Sequence, residues 1–415
     1  MHLEDKKISK KFFWLLFILY AIVYMTKNNY SAAMAAIVSE GVLTKTQTGF
    51  INSAYFMVYA PLQILGGYVA DRYNPEKMIK ISLFGSGIAN AVIFLNQDYY
   101  VMLAAWVFNA IVQFALWPSL FKVISSQLEK EYRVKGIYYI SFASNVGLVM
   151  AYFVAMFMPT WKYNFILSAL MLMVLTVVFH VSCKRVDKYM VPDVNPQIKQ
   201  ENTKETDDNK SKISNGKLFS ISGFWFIIVV SMLYQIVSNG IKTLSSTFLM
   251  ESYANVSPSI GNLLNIFIII AGILGVAVVN QFLYPIRVRS EVKASLILVA
   301  IAIPFGMIML FVGKLPIVIM IIALCFASAL LSGVQLLGSR CSVAFAKYGK
   351  NGTAAGLINA AASIAIMIQS YGIVAVADNL GWNAVMDIWI KLLIGSAVCL
   401  IVALPLWDTF KKRKF

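Results

Sequence analysis

Five cations interrupt apolar runs of this sequence: Lys27, Lys122, Lys242, Arg340 and Lys391. An ammonium or guanidinium in hydrocarbon costs about 2.5–3.5 kcal/mol on insertion scales, so such a group faces a cavity, water or a partner. The chemistry open to it there is recognition of an anion or polar group rather than bond making. Lys391 has a partner of its own in Asp387, four residues earlier on the same helix face, and reads as structural. The other four have no acid nearby in sequence, and no acidic residue falls mid-span in the first half, so the interior they face is net positive. Lys242 follows Ser238 by four residues and shares its helix face. Rings and amides accompany these cations: Tyr55, Tyr59, Trp117, Tyr138, Tyr139, Asn145, Asn265 and Asn359. Such a lining suits an anionic or polar organic solute. Each has a blander reading. Lys27 can bond helix carbonyls, Lys122 and Arg340 can snorkel to the surface, and the aromatics can serve packing or the interface belt.

Those residues need elements to hold them, and composition says in which solvent. The chain is 59% hydrophobic and 13% charged, with a mean hydropathy of +0.73, far from the quarter-charged make-up of soluble domains. It reads as an integral membrane protein. Apolar runs fall at about 12–38, 49–70, 78–95, 99–127, 137–158 and 163–183, then at about 218–249, 259–284, 292–312, 316–346, 352–378 and 383–409. These are twelve transmembrane helices in two groups of six, an all-α fold. The expected division is a bundle over 1–183, a polar mixed-charge cytoplasmic linker over 184–217 and a second bundle over 218–415.

With the N-terminus inside, 27 of the 35 Lys and Arg lie on inner segments and three, Lys45, Lys162 and Lys314, lie outside. The positive-inside rule then puts both termini in the cytoplasm. It also accounts for the net charge of +16 as topology signals and contacts with membrane lipids, without nucleic acid. The four cysteines have no paired spacing and the two histidines make no metal cluster, so no metal or other cofactor is expected. No nucleophile–base pair or nucleotide-binding motif is present, so an enzyme has no support.

Residues 66–77, GGYVADRYNPEK, sit at the inner end of the second run. They resemble the loop signature of the major facilitator superfamily, glycine–x–x–x–Asp–Arg. The resemblance implies two halves related by a two-fold along the membrane normal, and makes Gly67, Asp71 and Arg72 conformational residues of the inner gate. TGFINSAYFM (48–57) also resembles IGNLLNIFII (260–269), and counting back 23 residues from Gly49 and Gly261 pairs Thr26 with Ser238. Lys122 and Arg340 make a second suggestive pair, in spans 4 and 10.

Further pieces, TKNNYSAAM, LWPSLFK, ASNVG and GTAAG, look like the organophosphate:phosphate antiporter branch, from about residue 20 to residue 382. That branch exchanges glycerol phosphate or hexose phosphate for inorganic phosphate. Its span-1 motif is Arg-Lys-Asn; here Thr26, Lys27 and Asn28 stand there, and the matching span-7 arginine is Ser238. A span-2 lysine becomes Leu62 and a span-5 histidine becomes Ser144. Two hydroxyls cannot imitate two guanidinium forks. The resemblance therefore implies a bacterial inner-membrane secondary transporter of a small anionic solute, monomeric and working by alternating access. Its specificity is altered, with inorganic phosphate as the possible counter-substrate. Two alternatives stay open: a membrane sensor for an external metabolite, and a carrier of a carboxylate or neutral polar solute.

Overall fold

The computed structural model of the chain describes residues 2–191, 215–311, 313–348 and 350–412. The greater part of the expected linker, and the side chains of Gly67, Asp71 and Tyr138, lie outside the described residues. The first half comprises α1 (Lys6–Ser39), α2 (Lys45–Arg72), α3 (Pro75–Leu95), α4 (Tyr99–Gln113), α5 (Leu116–Gln127), α6 (Lys130–Phe157) and α7 (Lys162–Val186). A short α8 (Asn215–Ile221) precedes α9 (Phe224–Ser252), α10 (Pro258–Val278), α11 (Glu291–Met309), α12 (Ile317–Val343), α13 (Asn351–Ile368), α14 (Val374–Leu380) and α15 (Trp382–Lys412). Two residues near the N-terminus, β1 (His2–Leu3), pair antiparallel with β2 (Met190–Val191).

Ten stretches of the described residues are long and apolar enough to cross a bilayer. Helices α2 and α6, 28 residues each, make the described set twelve once α4 with α5, and α13 with α14, are taken as single spans. The helices match the expected spans to within seven residues at their ends, the largest differences falling at the starts of α1, α6 and α9. Capping explains where several begin. Asp5 Oδ1 accepts from the amides of Lys7 and Ile8 at the start of α1. Thr44 and Gln47 form a capping box on α2, and Asn74 caps α3 with Pro75 at its first position.

Contacts group the chain into two compact units, Met1–Pro196 with Pro258–Leu263, and Gln197–Ser257 with Leu264–Phe415. Within the first, α1 packs on α6 and α7, and α3 packs on α4 and α7. Within the second, α9 packs on α13 and α15, and α11 packs on α12 and α15. The same pairing recurs in each unit: its first span against its fifth and sixth, its third against its fourth and sixth.

The fourth span is broken. Phe114 and Ala115 separate α4 from α5, because Pro118 has no N–H for the carbonyl of Phe114 four residues back. Helix α2 approaches closely at that point, where a Cβ on Gly66 would lie 2.7 Å from the Phe114 carbonyl oxygen. Two π-helical turns, Val279–Leu283 after α10 and Gln369–Ile373 between α13 and α14, left no trace in the hydropathy pattern.

Candidate functional site

The run Thr26-Lys27-Asn28-Asn29 divides its four side chains among three tasks. Successive residues point about 100° apart around a helix, so no two neighbours share a direction. Asn29 is buried and faces inward, where its Nδ2 donates to Asn90 Oδ1 at 2.8 Å and Ser168 Oγ at 2.9 Å, joining α1 to α3 and α7. Asn28 Nδ2 returns to the Tyr24 carbonyl at 2.7 Å, and Thr26, fully buried, donates its hydroxyl to the Val23 carbonyl at 3.0 Å. Lys27 alone turns its charge towards neighbouring rings.

Its ammonium nitrogen lies 4.2 Å from the Tyr59 ring centroid, 5.1 Å from Tyr55, 5.4 Å from Phe56 and 5.7 Å from Tyr24. Three of these rings come from α2 and one from the preceding turn of α1. A desolvated cation over a ring gains roughly 0.5–2 kcal/mol, which repays part of the cost of its place in the bundle. No described carboxylate pairs with it. Tyr24 is set by a close helix crossing, since a Cβ on Gly147 of α6 would come within 2.7 Å of the Tyr24 Cβ.

Tyr55 is anchored from behind. Its hydroxyl donates to Gln113 Oε1 at 3.1 Å, and Gln113 Nε2 donates to Ser86 Oγ at 2.9 Å and Asn109 Oδ1 at 3.1 Å. Its ring, not its hydroxyl, is what Lys27 meets. Trp117 packs on Tyr20 with centroids 5.1 Å apart and on Phe121 at 6.3 Å.

Lys242 marks the second unit. It is half-buried on α9, and its carbonyl accepts from Asn265 Nδ2 at 2.9 Å. A Cβ built on Gly272 of α10 would touch Ser328 Oγ at 2.8 Å, Ser332 Oγ at 2.9 Å and Lys242 Cε at 3.5 Å, so the ammonium stem and two serine hydroxyls of α12 converge on this glycine. Ser238, Ser328 and Ser332 are buried, and their hydroxyls, with Asn265 Oδ1, have no hydrogen-bond partner in the protein. Unfilled buried donors and acceptors beside a cation are costly unless a ligand or water meets them.

The remaining candidates lie elsewhere. Arg340 Nη2 donates to Asn280 Oδ1 at 2.5 Å and its guanidinium carbon sits 5.1 Å from the Tyr284 ring centroid, so its partners are those of the C-terminal end of α12 and not those of Lys242. Lys122 is half-buried on α5, where its carbonyl accepts the hydroxyls of Ser125 and Ser126 at 3.2 and 2.6 Å. Tyr139 is exposed and packs edge-on to Phe13; Asn145, Asn359 and Arg72 are exposed. Lys391 pairs with Asp387 at 2.6 Å as expected. Sequence reasoning missed Tyr24, Phe56, Ser328, Ser332 and Gln369. The serine pair could have been found, since their spacing of four in a span is a helix-face signal. Gln369, buried in a π turn, accepts from Asn239 of α9 at 2.5 Å.

The chain matches the Major Facilitator Superfamily over residues 16–370. It is 29% identical over 94 residues to the membrane sensor protein UhpC of Escherichia coli (strain K12), which is 23% of this chain and 21% of that protein. It is 24% identical over 123 residues to the probable hexose phosphate transport protein of Chlamydia trachomatis serovar D, 30% of this chain and 27% of that one. The alignments thus span under a third of these curated relatives' lengths. A bacterial homolog of the human lysosomal transporter Spinster, in an inward-facing and occupied conformation, superposes with a TM-score of 0.74 at 15% identity, covering 98% of this chain and 97% of that one. With ten or more apolar helical spans among its described residues, two like-packed units and a match over most of its length, the chain belongs to the Major Facilitator Superfamily of secondary transporters.

Proposed function

We propose that this chain carries a small organic anion across the bacterial inner membrane by alternating access, both termini in the cytoplasm. On this reading it is an antiporter similar to the organophosphate:phosphate exchangers but altered in specificity. Lys27 engages the anionic group. The observation that carries the reading is Lys27, a span-centre cation held by four rings and no described carboxylate. A charge positioned that way is available to a solute, and the rings that hold it can be exchanged for an anion without breaking an ion pair. Ser328, Ser332, Ser238 and Asn265 give Lys242 polar neighbours able to complete an anion's hydrogen bonds. With Thr26 and Ser238 where the branch keeps arginines, a carboxylate is served as well as a phosphate ester.

Exchange in proteoliposomes tests this. Vesicles loaded with unlabelled phosphate should take up labelled phosphate through the wild type, and Lys27→Gln should lower the rate about a hundredfold or more, the loss expected when a charge-assisted contact goes. No exchange by folded wild-type protein would remove phosphate as counter-substrate and direct the assay to carboxylates. The similarity to a membrane sensor protein favours one second reading, reception of an external metabolite. It would be distinguished by ligand binding without flux.

A further inference from the structure

The second unit has a cleft of about 450 Å³ that the transport reading does not use. Tyr284, Glu291, Arg340, Tyr348, Phe410 and Lys411 line it. It opens where the segment after α10, the first turn of α11, the end of α12 and the last turn of α15 meet, the end of the unit that carries the C-terminus.

Its charges are not equivalent. The buried Glu291 carboxylate is fully engaged: it accepts from the Tyr284 hydroxyl at 2.5 Å, from Trp407 Nε1 at 3.0 Å and from Lys411 Nζ at 3.0 and 2.9 Å. Lys411 is thereby neutralised. Arg340 is not. Among the described residues no carboxylate meets its guanidinium, and one N–H of its five is engaged, by the neutral Asn280. The guanidinium carbon lies 5.1 Å from the Tyr284 ring centroid, a cation–π contact that leaves the fork's remaining N–H groups for a ligand in the cleft that both residues line. Arg287, Arg289, Lys293 and Lys412 are exposed nearby in sequence and add positive potential without filling it.

An uncompensated planar fork at the mouth of an aromatic-walled cleft, at a span end where headgroups lie, has the donor geometry of a phosphate site with room for the attached organic group. We infer that this cleft binds a phosphate carried on an organic group, seated on Arg340, and that its source is an anionic lipid headgroup. This assignment takes Arg340 out of the transported solute's path and stands independently of what that solute is.

The test uses the full chain in nanodiscs of phosphatidylcholine, titrated with phosphatidylglycerol and, separately, with glycerol phosphate, with bound ligand read by native mass spectrometry and the thermal midpoint. Phosphatidylglycerol should bind in one saturable copy and raise the midpoint, and Arg340→Gln should weaken that binding about tenfold or more, the scale of one lost charge-assisted fork. Lys10→Gln, an exposed cation of the other unit, should bind as wild type. Val343→Trp fills the cleft from an exposed wall position while leaving every charge in place, and should also abolish binding even if Arg340→Gln folds poorly. Glycerol phosphate binding that Arg340→Gln abolishes, with no response to the lipid, would keep the phosphate site and overturn the lipid as its source. Equal lipid binding by wild type, Arg340→Gln and Val343→Trp, or no saturable binding of either probe, would overturn the site itself.

Discussion

At the scale of single residues, polarity alone does not separate a ligand-binding group from a structural one. Asn28 and Asn29 are chemically identical neighbours in one apolar helix, yet Asn28 closes on its own backbone while Asn29 ties three helices together. Asn29→Ala leaves Asn90 and Ser168 without that donor inside the bundle, a loss of about 1–2 kcal/mol by the usual cost of a broken buried hydrogen bond, near the upper end of what membrane interiors show. Asn28→Ala should cost little, since Tyr24 O keeps its helical environment. Thermal unfolding in detergent should place Asn29→Ala several degrees below Asn28→Ala; equal midpoints would mean the network adds nothing. Lys27 was legible because a charge among aliphatic neighbours is conspicuous. Its cage was only half legible: Tyr55 and Tyr59 stood out, but Phe56 is one of 27 phenylalanines and nothing in its local sequence assigns it to a cation.

At the scale of elements, the spans could be read from hydropathy because each needs about twenty apolar residues, a signal summed over many positions. Irregular turns depend on one or two residues and carry no such sum. Pro118 accounts for the break in the fourth span, but the π turns at Val279–Leu283 and Gln369–Ile373 contain no proline. Gly66 belongs with Pro118. The proline frees the Phe114 carbonyl, and the glycine lets α2 lie against that same oxygen. Gly66→Ala would set a methyl 2.7 Å from the carbonyl and force the two helices apart, an overpacking cost of about 1–3 kcal/mol. Gly356→Ala meets nothing within 4 Å and should leave the unfolding midpoint unchanged. A Gly66→Ala midpoint equal to wild type would show that the crossing is loose enough to absorb a methyl.

At the scale of the whole chain, orientation in the membrane follows from charge counting and from nothing in the packing, because a bundle is equally well packed either way up. The asymmetry is 27 basic residues against three, and each Lys or Arg near a cytoplasmic leaflet surface is worth about 1 kcal/mol of attraction to anionic lipid. That bias exceeds any single local preference. Two positions test it directly. Lys77, exposed in the first turn of α3, belongs to the inner set; Lys314, exposed in the turn that leads into α12, belongs to the outer three. In a background with Cys183, Cys325, Cys341 and Cys399 replaced, a membrane-impermeant maleimide should label Lys314→Cys in intact cells and Lys77→Cys only after permeabilisation. The opposite pattern would reverse the topology despite the charge count. It would also move the Arg340 cleft, which shares its end of the unit with the basic C-terminus, to the opposite leaflet, where far fewer anionic headgroups are available to fill it.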